Sequence, residues 1–209
     1  PKPSSAASDV YKRQLYRYMS GNVLAGNIDE FDGAYMMARL VDYIVEHLSQ
    51  QIKAGCDTVQ VFDSWASDLG EEHIIPYCYE PTAQIVERLR ALHPDVGIIV
   101  FPRLIGEEIN NFSKYVNADC ISLSDDMKTD WILKRMGHQC LQGGIPPQVL
   151  LSEHREDILR GTVPMIRQMK DCAYVVNLAH GINKETPVEN VRFFIEIVKR
   201  NRENITRET

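Results

Sequence analysis

The sequence has no Cys-x-x-Cys pair, and its five cysteines (Cys56, Cys78, Cys120, Cys140, Cys172) are odd in number and widely scattered. That pattern argues against both a disulfide framework and a zinc knuckle, and makes a reducing cytosol the simplest home. It has no uninterrupted apolar stretch near the ~20 residues a membrane helix needs. It also shows no charged-then-apolar leader of the kind that directs secretion, so a cytoplasmic protein without a membrane partner is expected. No Gly-x-Gly-x-x-Gly follows any candidate strand, which leaves a dinucleotide-binding fold with little support. No histidine pair has the His-Glu-x-x-His spacing, and no thiol stands beside a histidine, so metal and cysteine-nucleophile chemistry are unsupported. Cations are also short: 23 Lys and Arg stand against 29 Asp and Glu, a net charge of −6. Nucleic acid and anionic lipid want a basic face and are therefore not expected partners, and any anionic ligand needs locally placed cations.

What is present is an ordinary globular composition, 44% hydrophobic and 25% charged over 209 residues, enough for about one domain. The opening "PKPSSAASDVYKRQ" has neither helical nor strand period. Its end reads as a translation of the transposase adapter used in sequencing-library preparation. Residues 1–14 are therefore expected to be an adapter artefact, or else a disordered arm, and residues 15–209 to form the domain. The segment carries Lys2, Lys12 and Arg13 against Asp9, which leaves the rest of the chain at −8.

From Asp29 onward helical and strand patterns alternate. Met37, Leu40, Val41, Ile44, Val45, Leu48 and Ile52 fall at helical spacing, and Gly55 stands where a C-cap glycine would. Five short apolar runs follow: "TVQVF" (58–62), "VGIIVF" (96–101), "DCISL" (119–123), "QCLQ" (139–142) and "AYVVN" (173–177). Helical patterns separate them at about 81–92, 106–115, 130–136 and 153–169. A last helix is predicted from "TPVE", with Thr186 as N-cap and Glu189 closing a capping box. Strands this short and apolar suit a parallel sheet covered by helices, the α/β class. A TIM barrel needs eight such units and typically ~250 residues. The chain has room for about five or six, and reads as the C-terminal portion of a (β/α)8 barrel whose opening strands are absent.

In such a barrel, chemistry gathers at the C-terminal strand ends. The five exits read "FDSWASD", "FPRLIG", "SLSDD", "QGGIPP" and "NLAHG". Ser64 offers a hydroxyl to a substrate carboxylate, or caps its loop. Asp63 beside it could bind a cation or make only an Asx-turn. Arg103 could bind a carboxylate or form a surface salt bridge. Asp125 and Asp126 read as a solvated turn. Gly143 and Gly144 allow close backbone approach, but no helix begins soon enough to complete a phosphate cradle. His180, released by the glycine after it, can donate to a carboxylate or relay a proton near neutral pH. It is the strongest single candidate among the histidines.

"QIKAGCDTVQVFDSWASDL", "LQGGIPPQVLL" and "VVNLAHGINKETPVENVRFFIEIVK" resemble uroporphyrinogen decarboxylase, and the "FDSWAS" and "FPR" variants look like its alphaproteobacterial branch. The resemblance runs from about Leu15 to Arg200. It implies a homodimeric TIM barrel of haem biosynthesis that removes four acetate carboxyl groups from uroporphyrinogen III, giving coproporphyrinogen III with no metal or organic cofactor. It further implies substrate contacts at Phe62, Ser64, Arg103 and His180, and catalytic roles for Tyr18 and His180. Tyr18 lies in "RYM", after which the spacer to Gln51 is shorter than the family's. Ala179 stands where the family has glycine, which is expected to tighten that turn if its φ is positive. The family's Arg-Gln-Ala-Gly-Arg loop and Phe-Ser-Asp segment have no counterpart, and Asp63, Asp125 and Asp126 do not match the missing aspartate. The full protein is thus expected to be the decarboxylase and this chain alone to be inactive.

Three other readings stand beside it. Corrinoid-linked methyltransferases of the same superfamily bind zinc through His-x-Cys and a later cysteine, and "FPRLIG" offers neither ligand. A non-catalytic barrel fragment would expose two sheet edges. A phosphate-binding sugar enzyme would rest on "QGG" alone.

Overall fold

The computed structural model describes residues 33–208; Tyr18 and the suspected adapter segment lie outside the described residues. The described chain forms two compact units, one ending at Asp119 and the other beginning at Cys120.

The first unit opens with α1 (Gly33–Lys53), which buries Met37, Val41, Val45 and Leu48 as the periodicity predicts. Gly55, at φ +105, ends it as expected: its N–H reaches Ile52 O at 2.9 Å and the Cys56 N–H reaches Gln51 O at 3.2 Å. That pair of bonds is a Schellman cap, which needs a left-handed residue and so favours glycine. Then come β1 (Thr58–Asp63), α2 (Glu80–Leu92), β2 (Gly97–Pro102) and α3 (Ile109–Val116). The helical path begins before the predicted Pro81: a turn at Glu71–Ile74 and a wider π-type turn at Ile75–Tyr79 lead straight into α2. β1 and β2 are parallel, in register from Thr58↔Gly97 to Asp63↔Pro102. On β1, Val59 and Val61 are buried while Thr58 and Phe62 are exposed, the period-2 alternation of a strand. Asp119 closes the unit. Its Oδ2 accepts the Ile98 N–H at 2.8 Å, and its Oδ1 takes Arg90 at 3.1 Å.

The second unit contains β3 (Cys120–Leu123), α4 (Thr129–Met136), β4 (Cys140–Gly143), α5 (Arg155–Gln168), β5 (Tyr174–Val175) and α6 (Val188–Glu208). The strands are again parallel, with Cys120↔Cys140 and Leu141↔Tyr174 in register. Ile145, Leu150, Ile158, Ile166, Phe194 and Ile197 make its core. α5 comes close because Gly161 has no side chain: a Cβ there would lie 2.4 Å from Val149 Cγ1.

Two sequence expectations fail here. "AYVVN" yields only a two-residue strand, because Asn177 turns its side chain back to accept the Leu178 N–H at 2.8 Å; pairing resumes at Ile145↔Leu178. The capping box does not form either. Thr186 Oγ1 is buried with no hydrogen-bond partner, and the Asn190 and Val191 N–H groups instead reach Pro187 O at 3.0 and 3.4 Å. The α/β expectation holds throughout: parallel strands alternate with helices.

Candidate active site

Parallel strands in register end level, so the exits of β1 and β2 share one rim. The Arg103 N–H donates to Asp63 O at 3.0 Å, extending the ladder one residue past β2. Ser64 and Arg103 therefore leave adjacent strands side by side, both half-buried. Asp63 is 3% exposed whereas its neighbour Phe62 is 60% exposed, since adjacent strand residues face opposite ways. The Phe62 ring meets the buried Phe101 ring edge-on, 6.2 Å between centroids and 84° between planes. An apolar ring that open, seated on a buried one, presents a face on which another flat apolar group can stack.

A cavity of about 610 Å³ runs along β1, lined by Phe62 from the strand, by Ser64 just beyond it, and by Leu40, Ile44, His47 and Gln51 from α1. Beyond Arg103 the chain turns sharply: Leu104 and Gly106 both have φ +57. For leucine this left-handed conformation costs roughly 1–2 kcal/mol. Farther along the same connection the buried Tyr79 phenol reaches Glu108, with 3.0 Å to its backbone oxygen and 2.9 Å to its carboxylate. Burial first, and then the Glu108 hydrogen bond and charge, push the Tyr79 phenol well above the usual range, so it remains a donor.

In the second unit, Asp125 and Asp126 are exposed after β3, as a solvated turn would be, while Ser124 is buried. β4 leaves through Gly143 and Gly144, at φ +82 and +86. Both glycines are required. A Cβ on Gly143 would sit 3.0 Å from Leu123 O and 3.2 Å from Leu178 O, and one on Gly144 would sit 2.7 Å from Met165 Cε. The Gly144 N–H is spent on Leu123 O at 3.1 Å and is not turned outward as a phosphate cradle demands. That weakens the sugar-phosphate reading.

His180, half-buried, follows β5's irregular exit. Its Nδ1 lies 3.0 Å from Gly181 O. A carbonyl only accepts, so the proton on Nδ1 serves that bond and Nε2 is left for other partners. The Ala179 N–H donates to Ile145 O at 2.7 Å, and Ala179 is buried at 1% exposure. Ala179 is not among the residues with positive φ, so the expected tightening of the turn does not arise and alanine fits there without backbone strain.

Phe62, Ser64 and Arg103 thus gather at one strand end of the first unit, and His180 stands at a strand exit of the second. Two contacts, one buried and one partly buried, went unread in the sequence. Gln142 Nε2 donates to Ser122 Oγ at 3.2 Å, and the Tyr174 phenol donates to Gly143 O at 2.6 Å. The first had a signal, a polar residue inside each of two apolar runs at matching register positions, Ser122↔Gln142; the second had none, since Tyr174 is in register with Leu141. Cys120 and Cys140 begin β3 and β4, at the end opposite the exits, which disfavours thiolate ligands at the rim. Among the described residues no group of three or more His, Cys, Asp and Glu is placed to hold a metal, and no described helix is long and apolar enough to cross a membrane.

The family profile described as Uroporphyrinogen decarboxylase (URO-D) matches residues 28–201. Among curated proteins, the uroporphyrinogen decarboxylase of Cereibacter sphaeroides is 31% identical over 166 residues, 78% of this chain and 48% of that protein. That of Orientia tsutsugamushi is 34% identical over 160 residues, 77% and 47% of the two chains. That of Ruegeria pomeroyi is 32% identical over 176 residues, 84% and 50%. The chain spans about half the length of the curated relatives it matches. With parallel strands, alternating helices and a profile match across most of its length, the chain belongs to the uroporphyrinogen decarboxylase family.

Proposed function

We propose that the complete protein decarboxylates uroporphyrinogen, converting its four acetate arms to methyl groups on the route to haem, as a cytoplasmic homodimer. The observation that carries this reading is the rim of the first unit: an exposed aromatic face, a hydroxyl and a guanidinium on two adjacent strand ends, in a chain of this family.

The chemistry asks for little beyond placed charges. Protonation of a pyrrole ring makes it an electron sink. The bond between the acetate methylene and its carboxylate then breaks, carbon dioxide leaves, and the electron pair enters the ring; a proton delivered to the methylene completes the methyl group, and loss of the proton first added to the ring restores the neutral pyrrole. Stabilising the ring cation is an electrostatic task for a fixed carboxylate. That carboxylate is not Asp63, Asp125 or Asp126, and we assign it to the family's Phe-Ser-Asp segment, which these residues do not include. In this reading Phe62 stacks on the macrocycle, while Ser64 donates to a substrate carboxylate. Arg103 binds another carboxylate through its guanidinium. His180 offers Nε2 at its own strand exit for carboxylate binding or proton relay, and Tyr18 joins the catalytic group.

The test compares two proteins on uroporphyrinogen under reducing, anaerobic conditions, with products separated after oxidation to porphyrins. A protein completed with the upstream half should form coproporphyrinogen, and the 209-residue chain alone should not. Turnover by the isolated chain near the rate of the completed one would refute the assignment of the cation-stabilising carboxylate. No turnover by either would refute the decarboxylase reading.

A further inference from the structure

β5 is only two residues long, too short to position the chain that follows it. What holds the approach to His180 is the exit of β4. Gly143 and Gly144, both left-handed, redirect the chain so that Ile145 runs beside Leu178 and its carbonyl takes the Ala179 N–H at 2.7 Å. His180 is the next residue. A side chain supports the bend: the Tyr174 phenol, whose 2.6 Å bond to Gly143 O helps hold the peptide between the two glycines in its turned orientation. Tyr174 is the first residue of β5 and lies in register with Leu141, so its hydroxyl ties the start of one strand to the exit of its neighbour. Its phenol is pushed up by burial and stays a donor across the neutral and mildly alkaline range.

We propose that Tyr174 is a positioning residue for His180, acting through the Gly143 carbonyl, the Gly143–Gly144 bend and the Ile145–Ala179 hydrogen bond. The proposal rests on the reading of His180 as a substrate-facing group. Without the phenol, Gly143 O loses this partner and the peptide is held from its other side by the Gly144 N–H on Leu123 O at 3.1 Å, a looser hold on its tilt. The restraint on Ala179 then weakens and the imidazole spreads over more positions. Tyr174→Phe removes the hydroxyl and keeps the ring and its packing.

The test is a double-mutant cycle in the completed protein, using uroporphyrinogen turnover, with Tyr174→Phe, His180→Asn and the pair. Tyr174→Phe should lower kcat/KM about tenfold, the scale on which misplaced groups lose rate. In the His180→Asn background the same change should have almost no effect, because a positioning residue has nothing left to position. Equal losses in both backgrounds, or no loss in either, would overturn the proposal. A fully active His180→Asn protein would instead overturn the role of His180, and the proposal with it.

A readout independent of turnover is amide exchange at Ala179, which should quicken about tenfold in Tyr174→Phe while Ile121 on β3 is unchanged. Unchanged exchange at Ala179 would count against the proposal even if the completed protein were inactive. Should Tyr174→Phe not fold, Gly144→Ala strikes the same bend from the β4 side, where the nearest obstacle is the flexible tip of Met165. It should quicken Ala179 exchange likewise, and failure to do so would sink the idea.

Discussion

The two units build their strand exits by different means. In the first, β1 and β2 are six residues each and in register to their last pair, and the ladder itself carries Ser64 and Arg103 to the rim. In the second, β3 and β4 have four residues, and β5 two. There the rim is stitched from left-handed glycines, a phenol and single backbone bonds. A long ladder fixes a side chain through many repeated hydrogen bonds, so each position tolerates change. A short one concentrates the work in a few groups, and each becomes indispensable.

The sharpest break of this contrast is at glycine. Gly143→Val places a branched side chain at φ +82, 3.0 Å from a backbone oxygen, and should cost about 3 kcal/mol or more in denaturant unfolding. The residue at the matching place on β2, Pro102, ends a regular strand; Pro102→Ala should cost under about 1 kcal/mol. Comparable losses would erase the distinction.

A smaller effect tests the ladder of the first unit. Asp119→Ala removes the acceptor of the Ile98 N–H and should cost about 1–2 kcal/mol, the penalty for a backbone donor left unpaired. The Ile98 amide should lose its protection from exchange with solvent. Gly55→Ala should cost about 1 kcal/mol in a thermal or denaturant melt, because the Schellman cap keeps a residue at φ +105, where alanine is strained.

The mildest effect is alkaline. Tyr79 and Tyr174 both have phenols raised chiefly by burial. The folded chain thus keeps protons that the unfolded chain begins to release near pH ~10. Stability from these groups is complete below that point and declines as pH rises toward the folded values. Tyr79→Phe and Tyr174→Phe should each flatten the decline in alkaline melts, and an unchanged slope in both would contradict the raised phenols.

Much of the first unit was legible because its signals are local. The α1 stripe is a 3.6-residue period, the Gly55 cap follows from one residue's freedom at positive φ, and β1 and β2 are apolar runs whose ends were placed to within one residue. Phe62, Ser64 and Arg103 could be picked out because a parallel ladder turns a sequence position into a rim position. The second unit resisted where contacts are remote. Nothing near Thr186 announces that its hydroxyl stays unpaired and Pro187 O receives the first helical bonds. Nothing in "AYVVN" shows that Asn177 folds back on Leu178. Ala179 looked like a strained replacement only because its φ could not be known.

By itself, then, the sequence determined the α/β class, the order of strands and helices, the family and the candidate residues at the exits, all properties of periodicity, local φ preference and motif. Tertiary structure alone decided that Asp63 is buried while Phe62 is open, that Gly144 spends its N–H on Leu123, and that Tyr174 supports the turn leading to His180. Those outcomes depend on which groups the fold brings within hydrogen-bonding or packing reach across tens of residues, and no local pattern in the chain encodes that distance.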